Sequence, residues 1–290
     1  MAFDPKPYGT TNSNPDLLAD DIAAWLALAS GDGDAAKLAA LYNTSHSLFA
    51  ALAADYEFYS GSGTVVYNLI RGGSPYTTTL YKHVAFSGST ALSWAGTPHA
   101  DFRNYIQRSD ANGTDHLSHG SHSQTNKYSA ELIFRVDSAQ GDWGWGTLWG
   151  MYDEPNDSLL GFSVSGDGYI VFGGSSQEWM YTSSPVAFDV WHHAIVSLDP
   201  DGTSHLWVDG SLACSSSENS DFGSGTTFVC MLGNNYGYPV IGAMALARLW
   251  KNRALTSDAA SLLFADPWCF SAGRVAATNR RRRLLIMGVA

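Results

Sequence analysis

The sequence predicts a mainly β chain, an antiparallel β-sandwich preceded by an α-helical hairpin. Three observations carry this reading. Short runs alternating apolar and polar residues, separated by turn residues, recur from residue 64 onward, at the spacing of a sandwich. Residues 188–212 hold two such runs with one turn between them and another behind, which means antiparallel neighbours. Glycine is frequent, at 29 residues, and only 15% of side chains are charged, a composition suited to many strands and turns.

In chain order, residues 1–14 are polar, carry Pro5, Pro7 and Gly9, and read as extended. Asn14-Pro15-Asp16 is a helix start, with asparagine as N-cap and proline at the first helical position. Leu18, Ile22, Trp25, Leu26 and Leu28 follow at helical spacing until Gly31-Asp32-Gly33-Asp34 breaks the helix and recaps a second. Leu38, Leu41, Tyr42, Leu48, Phe49, Leu52 and Tyr56 form the stripe of that second helix. This hairpin, assigned to residues 1–60 as an attachment segment, is too small to bury its own stripe. It is expected to pack on the sandwich or on a second protein. Gly61-Ser62-Gly63 is the linker, and the sandwich is expected over 61–270.

Strand-like runs lie at 64–69, 77–84, 91–94, 101–107, 131–136, 147–152, 159–164 and 169–172. Residues 109–129 are polar and read as a loop. Residues 192–198 and 204–208 make the defining pair around Asp199-Pro200-Asp201-Gly202, where proline presets one dihedral and glycine accepts positive φ. Asp209-Gly210 turns the chain back again. Residues 271–290 differ in kind: a small polar stretch, then Arg280, Arg281, Arg282 and Arg283, then Leu284, Leu285 and Ile286 opening an apolar run to Val289.

The formal net charge of −11 is unevenly spread. Residues 1–60 hold two basic and eight acidic side chains, 61–270 nine and nineteen, and 271–290 five arginines without an acid. Such a body repels nucleic acid, which is not expected as a partner. No apolar run reaches the ~18 residues of a membrane span, and residues 1–9 lack the pattern of a secretory signal. Cys214, Cys230 and Cys269 have no metal-binding spacing. Cys214 and Cys230 could bridge two strands, but three free buried thiols are the simpler expectation.

Trp191-His192-His193-Ala194, followed by Leu206-Trp207-Val208-Asp209-Gly210, resembles the laminin G-like signature, in which these two strands are neighbours. The stretch from Ile241-Gly242 through Leu249-Trp250 to Thr256 resembles that family's closing strand and short helix. Asp266-Pro267-Trp268-Cys269-Phe270 is similar to the ending of laminin G-like proteins of phages and prophages. The resemblance covers residues 84–270. It implies a concanavalin A-like two-sheet sandwich, calcium as a cofactor in some relatives, and a virion protein made in the host cytoplasm.

Glycan-hydrolysing members of such folds carry an E-x-D-x-x-E strand, and retaining chemistry sets its two carboxyls about 5 Å apart. No such run exists here; the densest acidic patch, Asp153-Glu154-Pro155-Asn156-Asp157, is interrupted by proline. No catalytic residue is assigned, and a non-enzymatic protein is expected. His116, His119 and His122 would share one face of a helix and could hold a transition metal, but Ser118, Gly120 and Ser121 argue for a solvated loop. Of His192 and His193, one is expected to face solvent and the other to pack. Asp142, Asp153 and Asp157, with Asn234 and Asn235, are the loop oxygens suited to calcium.

Sugar rings stack on flat aromatic faces. Trp143 and Trp145, in a glycine-rich loop, are the first candidates for carbohydrate contact, and Tyr236 and Tyr238 the second. The competing role for these rings is to cap the sandwich edge. Arg280 to Arg283 with Leu284, Leu285 and Ile286 read as a docking arm that adds a strand to a sheet edge and pairs with an acidic surface. The expected function is a phage structural or adhesion protein, docked through its termini onto other virion proteins and its own copies, with host-surface glycan as ligand. The alternatives are an architectural head or tail decoration protein and a divergent glycan hydrolase.

Overall fold

The computed structural model describes residues 46–49, 51–57, 65–67, 83–87, 92–95, 105–109, 116–123, 127–137, 145–153, 158–174, 177–199, 202–217, 226–232, 239–267 and 269. They form a mainly β antiparallel sandwich of two sheets. The first sheet runs β14 (Ser211–Ser216), β13 (Ser204–Val208), β12 (Trp191–Leu198), β7 (Tyr128–Val136), β16 (Gly242–Lys251), β5 (Tyr105–Arg108) and β4 (Leu92–Ala95), with β1 (Leu52–Glu57) also on β16. The second runs β11 (Gln177–Tyr181), β10 (Ile170–Gly174), β9 (Ser158–Ser165), β8 (Trp145–Asp153), β15 (Thr226–Met231), β6 (His116–Ser123), β3 (His83–Ser87) and β2 (Val65–Tyr67).

Alternation dictates the core. Tyr128, Ala130, Leu132, Phe134 and Val136 of β7 and Ala194, Val196 and Leu198 of β12 point inward, where Trp149, Phe162 and Phe172 of the second sheet meet them. Phe162 sets its edge against Phe172 at 5.4 Å and 74°, a geometry the ring quadrupoles favour. The expected hairpin holds: Ala194, Ile195, Val196 and Ser197 pair with Val208, Trp207, Leu206 and His205. Asp209 (φ 49°) and Gly210 (φ 77°) both adopt left-handed backbone, as a two-residue hairpin turn requires. A Cβ on Gly210 would also lie 2.5 Å from the Phe264 ring, so glycine is fixed there twice over.

The central strands β12, β7 and β16 of the first sheet are buried on both faces. Across the sheet's outer face lies α1 (Ser257–Ala265), started by the Thr256 side chain, which accepts from the Ala259 N–H. Buried serines seat the link before it. Ser129 Oγ donates to the Arg253 carbonyl (3.0 Å) and accepts from the Leu255 N–H (2.9 Å), and Ser197 Oγ donates to the Leu255 carbonyl (2.9 Å). No helix among the described residues is long and apolar enough to cross a membrane.

Several expectations change. Leu48 and Phe49 lie on a 3-10 turn, Ser47–Phe49, and Leu52 and Tyr56 lie in strand β1 rather than on a helix. The reason is tertiary: β16 offers β1 a pairing edge from Leu52↔Trp250 to Glu57↔Leu246, so the first sheet recruits residues ahead of the expected boundary. The helices expected before residue 46, the Gly61-Ser62-Gly63 linker and the tail at 271–290 lie outside the described residues. Residues 116–123, expected as loop, are β6, held between β15 and β3; pairing on both sides overrides a poor strand composition. Strands β11, β14 and β15 are additional to the runs expected. Cys214 and Cys269 are free but half-buried rather than buried. Burial, with Asp266 adding to it, pushes the Cys269 thiol up to about 12.

Candidate functional site

Antiparallel order fixes which segments meet. Strands β7 and β15 finish, and β8, β12 and β16 begin, at one end of the sandwich. The segments 138–144 and 233–238 therefore both leave from that end. Their bases touch: a Cβ on Gly146 would lie 2.5 Å from the Pro239 carbonyl oxygen and 2.5 Å from Val240 Cγ2. Asp137 N–H donates to the Ile241 carbonyl (3.0 Å) and Leu232 N–H to the Leu148 carbonyl (3.0 Å), closing the same junction. Arg108, buried, donates from Nη1 to the Leu232 carbonyl (3.4 Å).

A cluster of flat side chains flanks this end on the outer face of the first sheet, with the Tyr105 and Trp191 rings edge to face at 5.3 Å and 77°. Arg135 lies 5.9 Å from the Tyr105 ring centroid and 5.8 Å from that of Trp191. It grips Asp137 through Nε at 2.5 Å and Nη2 at 3.0 Å. That hydrogen bond raises the Arg135 pKa against the opposing effect of burial. The Asp137 carboxylate is thus committed to a guanidinium.

Deeper on the outer face is a sealed ionic network. Arg248 of β16 reaches Asp55 of β1 (3.0 Å) and Glu131 of β7 (3.2 Å), and donates to the Pro267 carbonyl beyond α1. Glu131 also holds His193 Nε2 at 2.9 Å, and the Phe264 ring stacks on that imidazole at 5.6 Å and 12°. Asp55 and Glu131 are 0% exposed, so this carboxylate pair is closed to a substrate in this conformation. Beside it is a cleft of about 10 Å³ between His193, Trp207, Gly210 and α1, at the lower limit for one water.

The adjacent histidines part company, though neither faces solvent as expected. His192 points to the other side of the sheet, with Nδ1 2.7 Å from Asp209 Oδ2 and Nε2 2.7 Å from the Ala187 carbonyl. Both neighbours are acceptors, so both nitrogens donate only in the imidazolium. Burial lowers the His192 pKa, but the hydrogen bond and charge of Asp209, with the Ala187 carbonyl, outweigh it and leave the pKa raised.

Of the residues singled out from sequence, Trp145 opens β8 and Asp153 closes it. The nine-residue strand puts those two positions roughly 26 Å apart at ~3.3 Å per residue, so segments flanking β8 are anchored at opposite ends. A single calcium ligand set drawing on both sides of β8 is not supported by this order. Trp143, Tyr236, Tyr238, Asp142, Asp157, Asn234, Asn235 and residues 280–286 lie outside the described residues. His116, His119 and His122 lie on strand β6, which removes the helical spacing that would have grouped them. Among the described residues no cluster of three metal-ligating side chains occurs. Sequence reasoning missed the Asp55–Arg248–Glu131–His193 network. Its signal was Arg248 between Ala247 and Leu249, in a strand whose other residues up to Trp250 are apolar.

A family model for the concanavalin A-like lectin/glucanases superfamily matches residues 110–261. Among solved structures, domain 4 of AbnA, an extracellular arabinanase of Geobacillus stearothermophilus in complex with arabinotriose, is similar with TM-score 0.54 at 17% identity. That match covers 73% of this chain and 97% of that one. Trypanosoma rangeli sialidase gives TM-score 0.55 at 16% identity over 89% of this chain and 40% of its own. The receptor binding domain of botulinum neurotoxin type G gives 0.50 at 11% over 73% and 50%. This chain thus spans under half of the sialidase and half of the toxin domain, and at these identities the likeness is one of fold. No curated protein matches the chain.

Proposed function

The chain belongs to the concanavalin A-like lectin/glucanases superfamily, and from that premise we propose that it is a non-enzymatic recognition module holding glycan at the loop-bearing end of its sandwich. The observation that carries this is the contact of Gly146 with Pro239 and Val240. Trp143 and Trp145 on one side, and Tyr236 and Tyr238 on the other, are neighbours in sequence of those touching bases. Aromatic rings on two segments whose roots adjoin suit the apolar faces of a sugar. The arabinanase domain, matched over 97% of its length, is itself in complex with a sugar, which supports the reading by analogy of fold.

In the same proposal the protein is a phage or prophage structural or adhesion component, made in the host cytoplasm. It docks by its termini on other virion proteins and on its own copies, with the loop-bearing end outward. Calcium is retained as a candidate cofactor of the loops. Titration calorimetry of the full chain with arabinotriose and sialic acid, preceded by a glycan array, tests the recognition role. Binding that weakens roughly tenfold in Trp143→Ala supports it. No binding to any glycan sinks it in favour of an architectural decoration protein, and release of reducing sugar would revive the hydrolase.

A further inference from the structure

One row of side chains crosses the outer face of the first sheet beside the loop-bearing end. Residues directly opposite each other on paired strands share a face, so register sets its members. Ser93 of β4 faces Gln107 of β5, Gln107 faces Ala243 of β16, Ala243 faces Arg135 of β7, and Arg135 faces Trp191 of β12. Alternation turns Gln107 outward, because Ile106 before it belongs to the core and Arg108 after it reaches the Leu232 carbonyl. Ser93 is exposed, and Gln107 and Arg135 are half-buried, so the row is polar where water meets it. From Ser93 to Arg135 it crosses from β4 to β7, roughly 14 Å at the usual spacing of strands. Tyr105, two residues before Gln107 and on the same face, packs against Ala243, Ala245, Ile133 and Trp191.

Two kinds of group therefore share this surface. Tyr105 and Trp191 are flat apolar rings, and Gln107, Arg135 and Asp137 are directed donors and acceptors. A guanidinium has five N–H donors, and Arg135 directs its Nε and one Nη2 hydrogen to Asp137. The pair keeps 22% and 23% of its side-chain surface exposed. Its charges cancel, yet it still presents a fork of hydrogen-bonding groups. That combination suits an uncharged ligand rich in hydroxyls, with C–H faces for the rings. A phosphate or carboxylate would meet Asp137 as well as Arg135.

We propose that Gln107, Arg135 and Asp137, with the Tyr105 ring, form a second subsite for glycan that takes a neutral oligosaccharide through adjacent hydroxyls. One hydroxyl donates to the Asp137 carboxylate while its neighbour accepts from Arg135 or Gln107. The inference rests on the glycan reading above and adds to it a separate surface and a ligand class. A row of this length is covered by an oligosaccharide and not by a single sugar ring. The Asp137 carboxylate also sets a sialylated glycan at a disadvantage against its neutral counterpart.

The test is binding of the full chain to an array that pairs neutral oligosaccharides with their sialylated forms, then titration calorimetry with the tightest neutral one. Gln107→Ala and Asp137→Asn are each expected to weaken that ligand about tenfold, with urea unfolding little changed because the ion pair is partly exposed. Asp137→Asn is also expected to narrow the preference for neutral over sialylated glycan, a change that structural damage alone would not produce. If Asp137→Asn proves unstable, Gln107→Ala decides. Unchanged affinity in both variants, with binding lost in Trp143→Ala, overturns the subsite and leaves the loop reading standing. Weakening in both, with binding kept in Trp143→Ala, supports the subsite and moves the glycan off the loops. A parent chain that prefers sialylated glycans overturns the subsite alone, and one that binds no glycan overturns both readings.

Discussion

The two faces of the first sheet's central strands β12, β7 and β16 are equally buried and built by opposite means. Inside, Leu132, Phe134, Val196 and Met244 pack in an apolar cluster, with the His192 ring 5.9 Å from Phe134 as a polar neighbour. Outside, along the same strands, Glu131, His193 and Arg248 are just as inaccessible, yet each is held by directed hydrogen bonds. An apolar face gains in proportion to area and tolerates imperfect fit. A buried ionic face gains only when every member is present, because each charge left alone carries its full desolvation cost. The inner face therefore holds the sandwich together. The outer face specifies where β1 and α1 attach.

The sharpest way to break this contrast is Arg248→Met. It leaves Asp55 and Glu131 buried without their shared cation, and a loss of about 3–5 kcal/mol is expected in urea unfolding. Replacing Asp55 and Glu131 together with Arg248 by apolar residues should recover much of that loss. Failure to recover would mean the network supplies stability in its own right. On the inner face, Leu132→Ala is expected to cost about 3 kcal/mol through lost burial and a residual cavity, and no second substitution should rescue it.

The smallest effect concerns His192, whose raised pKa in the folded chain links stability to pH. A raised folded pKa means the contribution is complete below the unfolded value of about 6.5 and disappears as pH climbs through the folded value. Unfolding measured from about pH 6 to about pH 9 should show this decline in the parent chain and a flatter profile in Asp209→Asn. A parent profile that rises over that window would contradict the imidazolium assignment.

Much of the inner face was legible in the sequence because alternation is a local signal. Ala194, Val196, Leu198, Leu206 and Val208 declare one side of two strands, and Asp209-Gly210 declares the turn that follows. Strand β6 was not, because HLSHGSHS has no apolar alternation and owes its state to β15 and β3, both remote in sequence. Nor was strand β1: Leu48, Phe49, Leu52 and Tyr56 fit a helical spacing, and only the open edge of β16 makes the last two of them extended. The ionic network joins residues 55, 131, 193 and 248. Each of these charges alone reads as a solvated position on the polar side of a strand. The converging loop bases were hidden for the same reason, since Gly146 and Pro239 meet only once both sheets have formed.

The pairing of β1 with β16 also has a mechanical side. Leu52 faces Trp250 at the point where one strand enters the sheet and the other prepares to leave it. Tension applied between the two ends of the chain acts there as a peeling force, which opens cross-strand bonds one after another instead of loading them all in shear. Peeling must next pass Asp55, which faces Arg248 across the same pair. The ion pair there is the first rivet, and a pull strong enough to part it would free the entering strand while leaving the loop-bearing end of the sandwich closed.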